Sequence, residues 1–284
     1  MKFIFLTDTH IGGTDTSGYM QQSRYLSRLP ELIDLLTEWI DEQSDIDFVI
    51  HGGDIIDSTT PENIITAADL FSQLPCPTYL TLGNHDLTNK DAVACWLKHA
   101  PQFFIDNKVD FFFIHNDLRF DIICCQWGET PYYWQPDVPQ IPCFLPEQLK
   151  MLNSGDRGRY RILVTHSPPC GLPCAQSGLD HPLHHPLGTF STEIKQLAEN
   201  FQVTLVLGAH NHMNLNVKSG NTRYVTSSAF NEAPFEFKLF NFSNHNLSME
   251  TILLSDCVNF KYKYDFNKTF VQGRPCDRSF EDNI

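Results

Sequence analysis

Thr81-Leu82-Gly83-Asn84-His85-Asp86 places an amide, an imidazole and a carboxylate at three consecutive positions directly after a glycine. The residues leading into it, Thr78-Tyr79-Leu80-Thr81-Leu82, are β-branched, aromatic or aliphatic, so the polar triplet falls where a strand ends. Open α/β sheets carry their ligand sites at the carboxyl ends of strands. The reading of the whole chain therefore turns on whether other strand ends bring partners to this one.

Upstream, residues 2–7 form an apolar, aromatic and β-branched run that reads as a buried strand. It ends in Asp8-Thr9-His10-Ile11-Gly12-Gly13, and the polar loop through Gly18 breaks regular structure. Pro30 opens a helix whose broad apolar face holds Leu32, Ile33, Leu35, Leu36, Trp39 and Ile40. Residues 46–51 are the second strand and run into Gly52-Gly53-Asp54. Thr60 caps the next helix with Pro61 at its first position, and Ile64, Ile65, Ala68, Leu70 and Phe71 give it an apolar face. Strand, helix, strand, helix, strand is the order of a parallel sheet.

Downstream the pattern is less regular. Residues 91–99 read as a short helix, and 111–115 and 118–125 as antiparallel strands around Asn116-Asp117. Residues 127–142, rich in Pro, Tyr and Trp, are too long for a mere connection and read as a site rim. A helix opens at Leu145, and the strand 161–165 ends at His166-Ser167-Pro168-Pro169. A loop with Cys170, Cys174, His181, His184 and His185 leads to a helix over 191–200. The strand 203–207 ends at Gly208-Ala209-His210-Asn211-His212. Alternating runs at 214–217, 223–228, 236–242, 247–254 and 258–265 read as an antiparallel meander. The expected organisation is one domain over 1–265 and a surface tail over 266–284.

Five strand ends thus carry Asp8 and His10, Asp54, Asn84 with His85 and Asp86, His166, and His210 with His212. Along a strand, residues i and i+2 project to one side, so Asp8 with His10 and His210 with His212 can each approach a common centre. Two carboxylates, one amide and four imidazoles exceed one ion's shell and suit two. The mixed nitrogen and oxygen set favours Zn, Mn, Fe, Co or Ni over Ca or Mg, and the absence of thiolate argues against a structural zinc site. Taken singly, Asp54 reads as a turn residue and His166 as a residue capping before proline; taken jointly, those readings need five coincidences. His51 reads as the end of a strand. Cys170 and Cys174 with His184 or His185 have loose spacing for a separate zinc site and read as packed or solvent-facing residues. Cys124 and Cys125 read as core filler on opposite faces of a strand. Tyr132, Tyr133 and Trp134 read as a packed loop before a surface for stacking a nucleobase.

The pattern resembles the calcineurin-like metallophosphoesterases, whose signature is D-x-H, G-D, G-N-H-[DE], a lone H and G-H-x-H. The matches are Asp8-Thr9-His10, Gly53-Asp54, Gly83-Asn84-His85-Asp86, His166 and His210-Asn211-His212, in the family's order over residues 8–212. One departure is Ala209, where the family usually has glycine. The resemblance implies a four-layer α/β/β/α sandwich of two mixed sheets. It also implies two divalent or mixed-valence ions of Mn, Fe or Zn: Asp8, His10 and His212 on one, Asn84, His166 and His210 on the other, Asp54 between them. Ions about 3.5–4 Å apart can clamp a phosphoryl group and share a hydroxide for in-line attack, offsetting charge on the equatorial oxygens. His85 is then the acid that protonates the departing oxygen, with Asp86 orienting its ring.

Composition narrows the partners. Net charge is −14, from 34 acidic and 20 basic side chains, so nothing supplies a basic footprint for a nucleic-acid duplex. A metal pair still allows a small anionic substrate. The nine cysteines are odd in number and scattered, unlike a disulfide framework. The N-terminal apolar run is too short for a signal peptide and no segment reaches membrane-span length, so the expected setting is the cytoplasm, away from membranes. The leading expectation is a phosphoesterase for small phosphodiesters, cyclic nucleotides among them, as in the bacterial phosphodiesterase branch that the D-x-H and G-N-H-D forms resemble. Alternatives are a nucleotide pyrophosphatase, a broad phosphomonoesterase, and a non-catalytic scaffold keeping the fold. Substrate choice falls to the loops 11–29, 126–144 and 167–190.

Overall fold

The computed structural model describes residues 1–15, 20–124, 126–128, 130–135, 141–155, 158–186, 188–243 and 245–284. In chain order its strands are β1 (Lys2–Leu6), β2 (Phe48–His51), β3 (Thr78–Leu80), β4 (Phe111–His115), β5 (Leu118–Ile123), β6 (Tyr160–Thr165), β7 (Leu205–Gly208), β8 (Leu215–Ser219), β9 (Thr222–Thr226), β10 (Glu236–Ser243), β11 (Asn246–Leu253) and β12 (Ser279–Asn283). The helices are α1 (Leu29–Gln43), α2 (Pro61–Phe71), α3 (Ala92–His99), α4 (Pro146–Asn153), α5 (Cys174–Ser177), α6 (Phe190–Asn200) and α7 (Pro275–Arg278). Two six-stranded sheets result, in the orders β12-β11-β10-β1-β2-β3 and β4-β5-β6-β7-β9-β8. The first sheet is parallel over β1-β2-β3, out to its β3 edge, and antiparallel from β1 through β10 and β11 to β12, while the second has a parallel centre, β5-β6-β7-β9, with antiparallel edges.

Period-two alternation sorts side chains into layers. In β6, Ile162 and Val164 join the core between the sheets, while Leu163 joins the outer core with α6. In β7, Leu205 and Leu207 point inward, and Val206 packs outward with Ile194, Leu197 and Phe190. Aromatic edges knit the sheets together: Phe120 of β5 meets Phe3 at 5.3 Å and Phe48 at 5.2 Å between ring centroids, both nearly perpendicular, an arrangement aromatic quadrupoles favour. Helices α1, α2 and α3 cover the other face of the first sheet, with Leu32, Ile33, Leu36, Ile64 and Trp96 buried. This is the four-layer α/β/β/α sandwich of two mixed sheets. Among the described residues no helix is long and apolar enough to cross a membrane.

Sequence chemistry sets the element ends. The Thr60 side chain accepts the Asn63 N–H at 3.1 Å and starts α2. At the far end of α4, buried guanidinium groups add donors to the last carbonyls: Arg119 donates to Met151 O (3.0 Å) and Arg161 to Leu152 O (2.6 Å). Asp121 balances both cations, with Oδ1 2.8 Å from Arg119 Nη2 and Oδ2 2.6 Å from Arg161 Nε.

Three expectations are corrected. The C-terminal strands are not one meander: β8 and β9 join the second sheet, β10 and β11 the first, because β10 pairs antiparallel with β1 (Phe3 opposite Phe240). Alternation marks a strand without naming its partner. Residues 258–265 form no strand; Phe260 and Tyr262 pack their rings on Phe235 at 5.5 and 5.4 Å. Residues 266–284 are no mere surface tail, since β12 extends the first sheet beside β11, and Val271 and Asp277 are buried. The strand looked like surface because it is a polar edge, the usual protection of an edge against further pairing. Cys124 is buried as expected, whereas Cys125, Gly18 and parts of the three loops lie outside the described residues.

Candidate metal centre

Beyond the carboxyl ends of β1 and β2 the two chains continue side by side. Asp8 N–H donates to Gly53 O (3.0 Å), His10 N–H to Asp54 O (3.0 Å) and Ile11 N–H to Ile55 O (2.9 Å). The third loop closes on them through two glycines. A Cβ on Gly53, at φ +99°, would sit 2.7 Å from His166 Nδ1, and one on Gly83 would sit 2.2 Å from Asp54 Oδ1. No side chain fits either place.

Five of the seven residues expected as ligands have left-handed backbones: Asp8 (φ 56°), His10 (45°), Asp54 (52°), His210 (70°) and His212 (55°). The i, i+2 geometry of an extended strand therefore does not operate here. Each strand has already ended, and a left-handed turn aims each side chain. Asp and His tolerate this region better than most residues, yet such turns cost on the order of 1 kcal/mol each and cluster at functional sites.

The turns bring all seven side chains together. His10 Nε2 lies 3.2 Å from His212 Nε2, and His212 Nε2 lies 3.4 Å from Asp8 Oδ1. In the second group His210 Nδ1 lies 2.9 Å from Asn84 Oδ1 and 3.3 Å from His166 Nε2. Asp54 stands between the groups, with Oδ2 3.2 Å from His166 Nε2 and 3.9 Å from His10 Nε2. Donors sharing one ion through bonds of about 2.1 Å stand roughly 3.0–3.4 Å apart, so these spacings suit an ion in each group. Both Asp8 carboxylate oxygens are buried without a hydrogen-bond partner, a costly state that a cation relieves. The donor set fits two ions.

Outer partners fix the rings. His166 Nδ1–H donates to Gly52 O (2.9 Å) and turns Nε2 to the centre. His212 Nδ1–H donates to Glu232 Oε1 (2.7 Å) with the same result. His51 ends β2 and stays outside the cluster. Its Nδ1 accepts the Gly53 N–H (3.1 Å), which leaves the proton on Nε2 for Thr9 Oγ1 (3.0 Å). Burial pushes its pKa down to about 3. Burial would likewise keep His166 neutral, but the Asp54 carboxylate outweighs it and draws the pKa up to about 9. Burial would raise the Asp54 carboxyl, yet the surrounding His166 and His85 rings hold it well below the usual range. Burial, and then the neighbouring His166, push His210 the other way, down to about 3.

His85 sits at the rim in a 3-10 turn, His85–Leu87. Its N–H donates to Asp54 Oδ1 (2.9 Å), tying the ring to the centre. The partner expected for that ring is replaced. Asp86 is buried and its carboxylate accepts the N–H groups of Ile55, Ile56 and Gly83 at 3.0, 3.0 and 2.8 Å, which staples two loops together. The His85 ring is held instead by Asp57, whose carbonyl accepts Nδ1–H at 2.8 Å and whose Oδ1 lies 3.8 Å away. Asp57 Oδ1 also lies 3.6 Å from His10 Nδ1.

Sequence reading missed Asp57, Glu232 and Arg24, and placed Trp127 only within the rim loop 127–142. Asp57 follows Asp54 by three residues on a site loop, a signal that was available. Glu232, lone in the apolar stretch 229–235, was a second hint, since a buried acid needs partners; Arg24 Nε meets it at 3.2 Å. Trp127 lies on the His210 ring (4.8 Å between centroids) and Trp134 on His85 (5.0 Å). Tyr132 and Tyr133 are packed, one donating to Asp110 Oδ2 (2.7 Å) and the other beneath Lys90. Among the described residues no convergent donor group includes Cys170, Cys174, His181, His184 or His185.

Adjacent donor groups with Asp54 between them, at the strand ends of a double sheet, form the kind of centre that the metallophosphoesterase resemblance implies. The family model described as calcineurin-like phosphoesterase matches residues 1–214. The chain belongs to that family, whose members depend on a dinuclear metal centre. No curated protein matches by sequence. Among solved structures, a purple acid phosphatase from yellow lupin (Lupinus luteus) seeds is similar at TM-score 0.58 and 17% identity, covering 99% of this chain and 53% of its own. This chain thus spans about half the length of the lupin enzyme. TT1561 of Thermus thermophilus is similar at TM-score 0.57 and 13% identity, over 89% of this chain and 98% of its own. GAP50, the anchor in the inner membrane complex of Plasmodium, is similar at 0.56 and 13%, over 95% and 90%. At these identities the likeness is one of fold.

Proposed function

We propose that the protein hydrolyses small phosphodiesters, cyclic nucleotides among them, with two ions of Mn, Fe or Zn. Asp8, His10 and His212 hold one, Asn84, His166 and His210 the other, and Asp54 both. When bound, the ions supply Lewis acidity toward the phosphoryl oxygens and make a coordinated water acidic. The observation that carries the reading is the placement of His85. Its backbone is anchored to Asp54, its Nδ1–H to the Asp57 carbonyl, and its side chain is 31% exposed. Nε2 is thereby turned away from the Asp57 carbonyl and placed to give a proton to the leaving oxygen.

A diester carries one negative charge and a monoester up to two. Arg24, which reaches the network through Glu232, is engaged by Glu232 (3.2 Å) and Gln21 (2.9 Å), which favours the less charged substrate. The free cysteines among the described residues fit a reducing cytoplasm. A metal-reconstituted panel tests the proposal: a generic phosphodiester against a monoester, then cyclic nucleotides and dinucleotide sugars. Faster diester turnover is expected. Preference for the monoester or the pyrophosphate sugars redirects the substrate class, and no turnover with any metal removes the enzyme reading.

A further inference from the structure

The rim of the centre is aromatic on two sides, and one loop supplies both walls. Trp134 lies over His85 with ring centroids 5.0 Å apart and planes tilted by 39°. Trp127 lies over His210 at 4.8 Å and 41°. Both indoles are half-buried and stand directly beside the histidines of the centre. The fully buried Trp96 of α3 contrasts with them: its indole N–H donates to Asp86 O at 3.0 Å and it serves only the core.

The loop is built to hold these rings still. Trp134 N–H donates to Leu87 O at 2.8 Å, which locks it to the turn that carries His85. Trp127 pairs as a β-bridge with Pro142, beside a bond from Cys143 N–H to Gln126 O at 3.0 Å. Gln126 Oε1 accepts the Tyr132 N–H at 2.8 Å, and Tyr132 donates its hydroxyl to Asp110 at 2.7 Å. A surface fixed in this way loses little entropy when a flat ligand stacks on it.

Resting on the phosphodiesterase reading, we infer that Trp127 and Trp134 select diesters bearing a planar aromatic substituent, a nucleobase or an aryl ring. Stacking on indole is tolerant of ring identity because every base has a π-face, so these walls specify a class rather than one base. The opposing possibility is that the indoles only shield His85 and His210. The two make opposite predictions. Losing a shield or a positioning contact on the acid harms esters with poor leaving groups most, and losing a stack harms aromatic esters most.

The test uses the metal-loaded full chain and two diesters with the same leaving group, bis(p-nitrophenyl) phosphate and methyl p-nitrophenyl phosphate. In the double variant Trp127→Leu Trp134→Leu, the ratio of kcat/KM for the first over the second is expected to fall about tenfold, the scale of one lost base–aromatic stack. Trp127→Phe Trp134→Phe should restore most of it. Should the leucine variant fail to fold, calorimetry on the unaltered protein decides with phenyl phosphate and cyclohexyl phosphate, equal in size and different in π-character. Preference for the phenyl compound supports the inference, and equal affinity overturns it. Turnover of both diesters with an unchanged ratio overturns this inference alone. No turnover of either by the unaltered protein removes the phosphodiesterase reading and this inference together.

Discussion

Glu232 Oε1 lies 2.7 Å from His212 Nδ1, and both side chains are buried. The carboxylate fixes which ring nitrogen bears the proton and leaves Nε2 for the ion. Glu232→Gln keeps the shape and removes the charge, and its amide can turn a donor toward the ring. Metal affinity is expected to fall by about 10–100-fold, the usual effect of losing such an outer partner. A competition titration with a chelator measures it; unchanged affinity would show that Glu232 serves packing alone.

The proposed role of His85 is that of the acid for the leaving oxygen, apart from the residues proposed to hold metal. His85→Ala should keep two ions per chain by elemental analysis and lose on the order of 10²–10⁴ in kcat, most steeply for poor leaving groups. Asp57→Asn should cost far less, because the bond to His85 Nδ1 comes from the Asp57 backbone carbonyl. A uniform loss across leaving groups in His85→Ala would deny it the role of acid.

Stability should carry a pH signature from Lys238, whose side chain is buried in β10 and donates to Thr251 Oγ1 at 2.7 Å. Burial outweighs the nearby Glu236 charge and pushes its pKa from 10.5 down to about 7. Between those two values the unfolded chain binds more protons, so this residue's contribution rises with pH; below pH 7 both states are charged and the cost is constant. Lys238→Met removes that cost. Urea unfolding should show the variant ahead at pH 7, the gap closing by up to about 1.4 kcal/mol per pH unit toward 10. Parallel curves would place the lysine's charge in contact with water.

Asp121 pairs with two guanidinium groups in the second sheet, one fully buried and one 3% exposed. Asp121→Ala removes the carboxylate they share and should destabilise the fold by roughly 3–5 kcal/mol. Because the triad braces α4 far from the metal donors, residual folded protein should still bind metal. Loss below 1 kcal/mol in chemical denaturation would count against the triad as a brace.

Much of this was legible in the chain because strand ends are punctuated locally. Glycines at 53 and 83 mark where backbones meet, and the ligating residue types follow them directly. What was not legible depends on distant segments. Nothing near Asp86 says that its carboxylate will meet amides from the 55–56 segment, and nothing near residue 232 says that β10 returns beside β1 and delivers Glu232 to His212. The left-handed turns at Asp8, His10, Asp54, His210 and His212 were hidden for another reason: those residue types occur in extended chain as readily. The polar alternation of 279–283 was read as exposed surface when it was an edge strand.

The proposed centre requires a pair of ions joined through Asp54, both needed for turnover. The most direct measurement is a titration of metal-free protein with Mn²⁺ that follows bound metal and diester hydrolysis together. Turnover should rise with the second equivalent, and Asp54→Ala should bind fewer than two ions and stay inactive. Full turnover at one equivalent, or two ions retained by Asp54→Ala, would contradict the account.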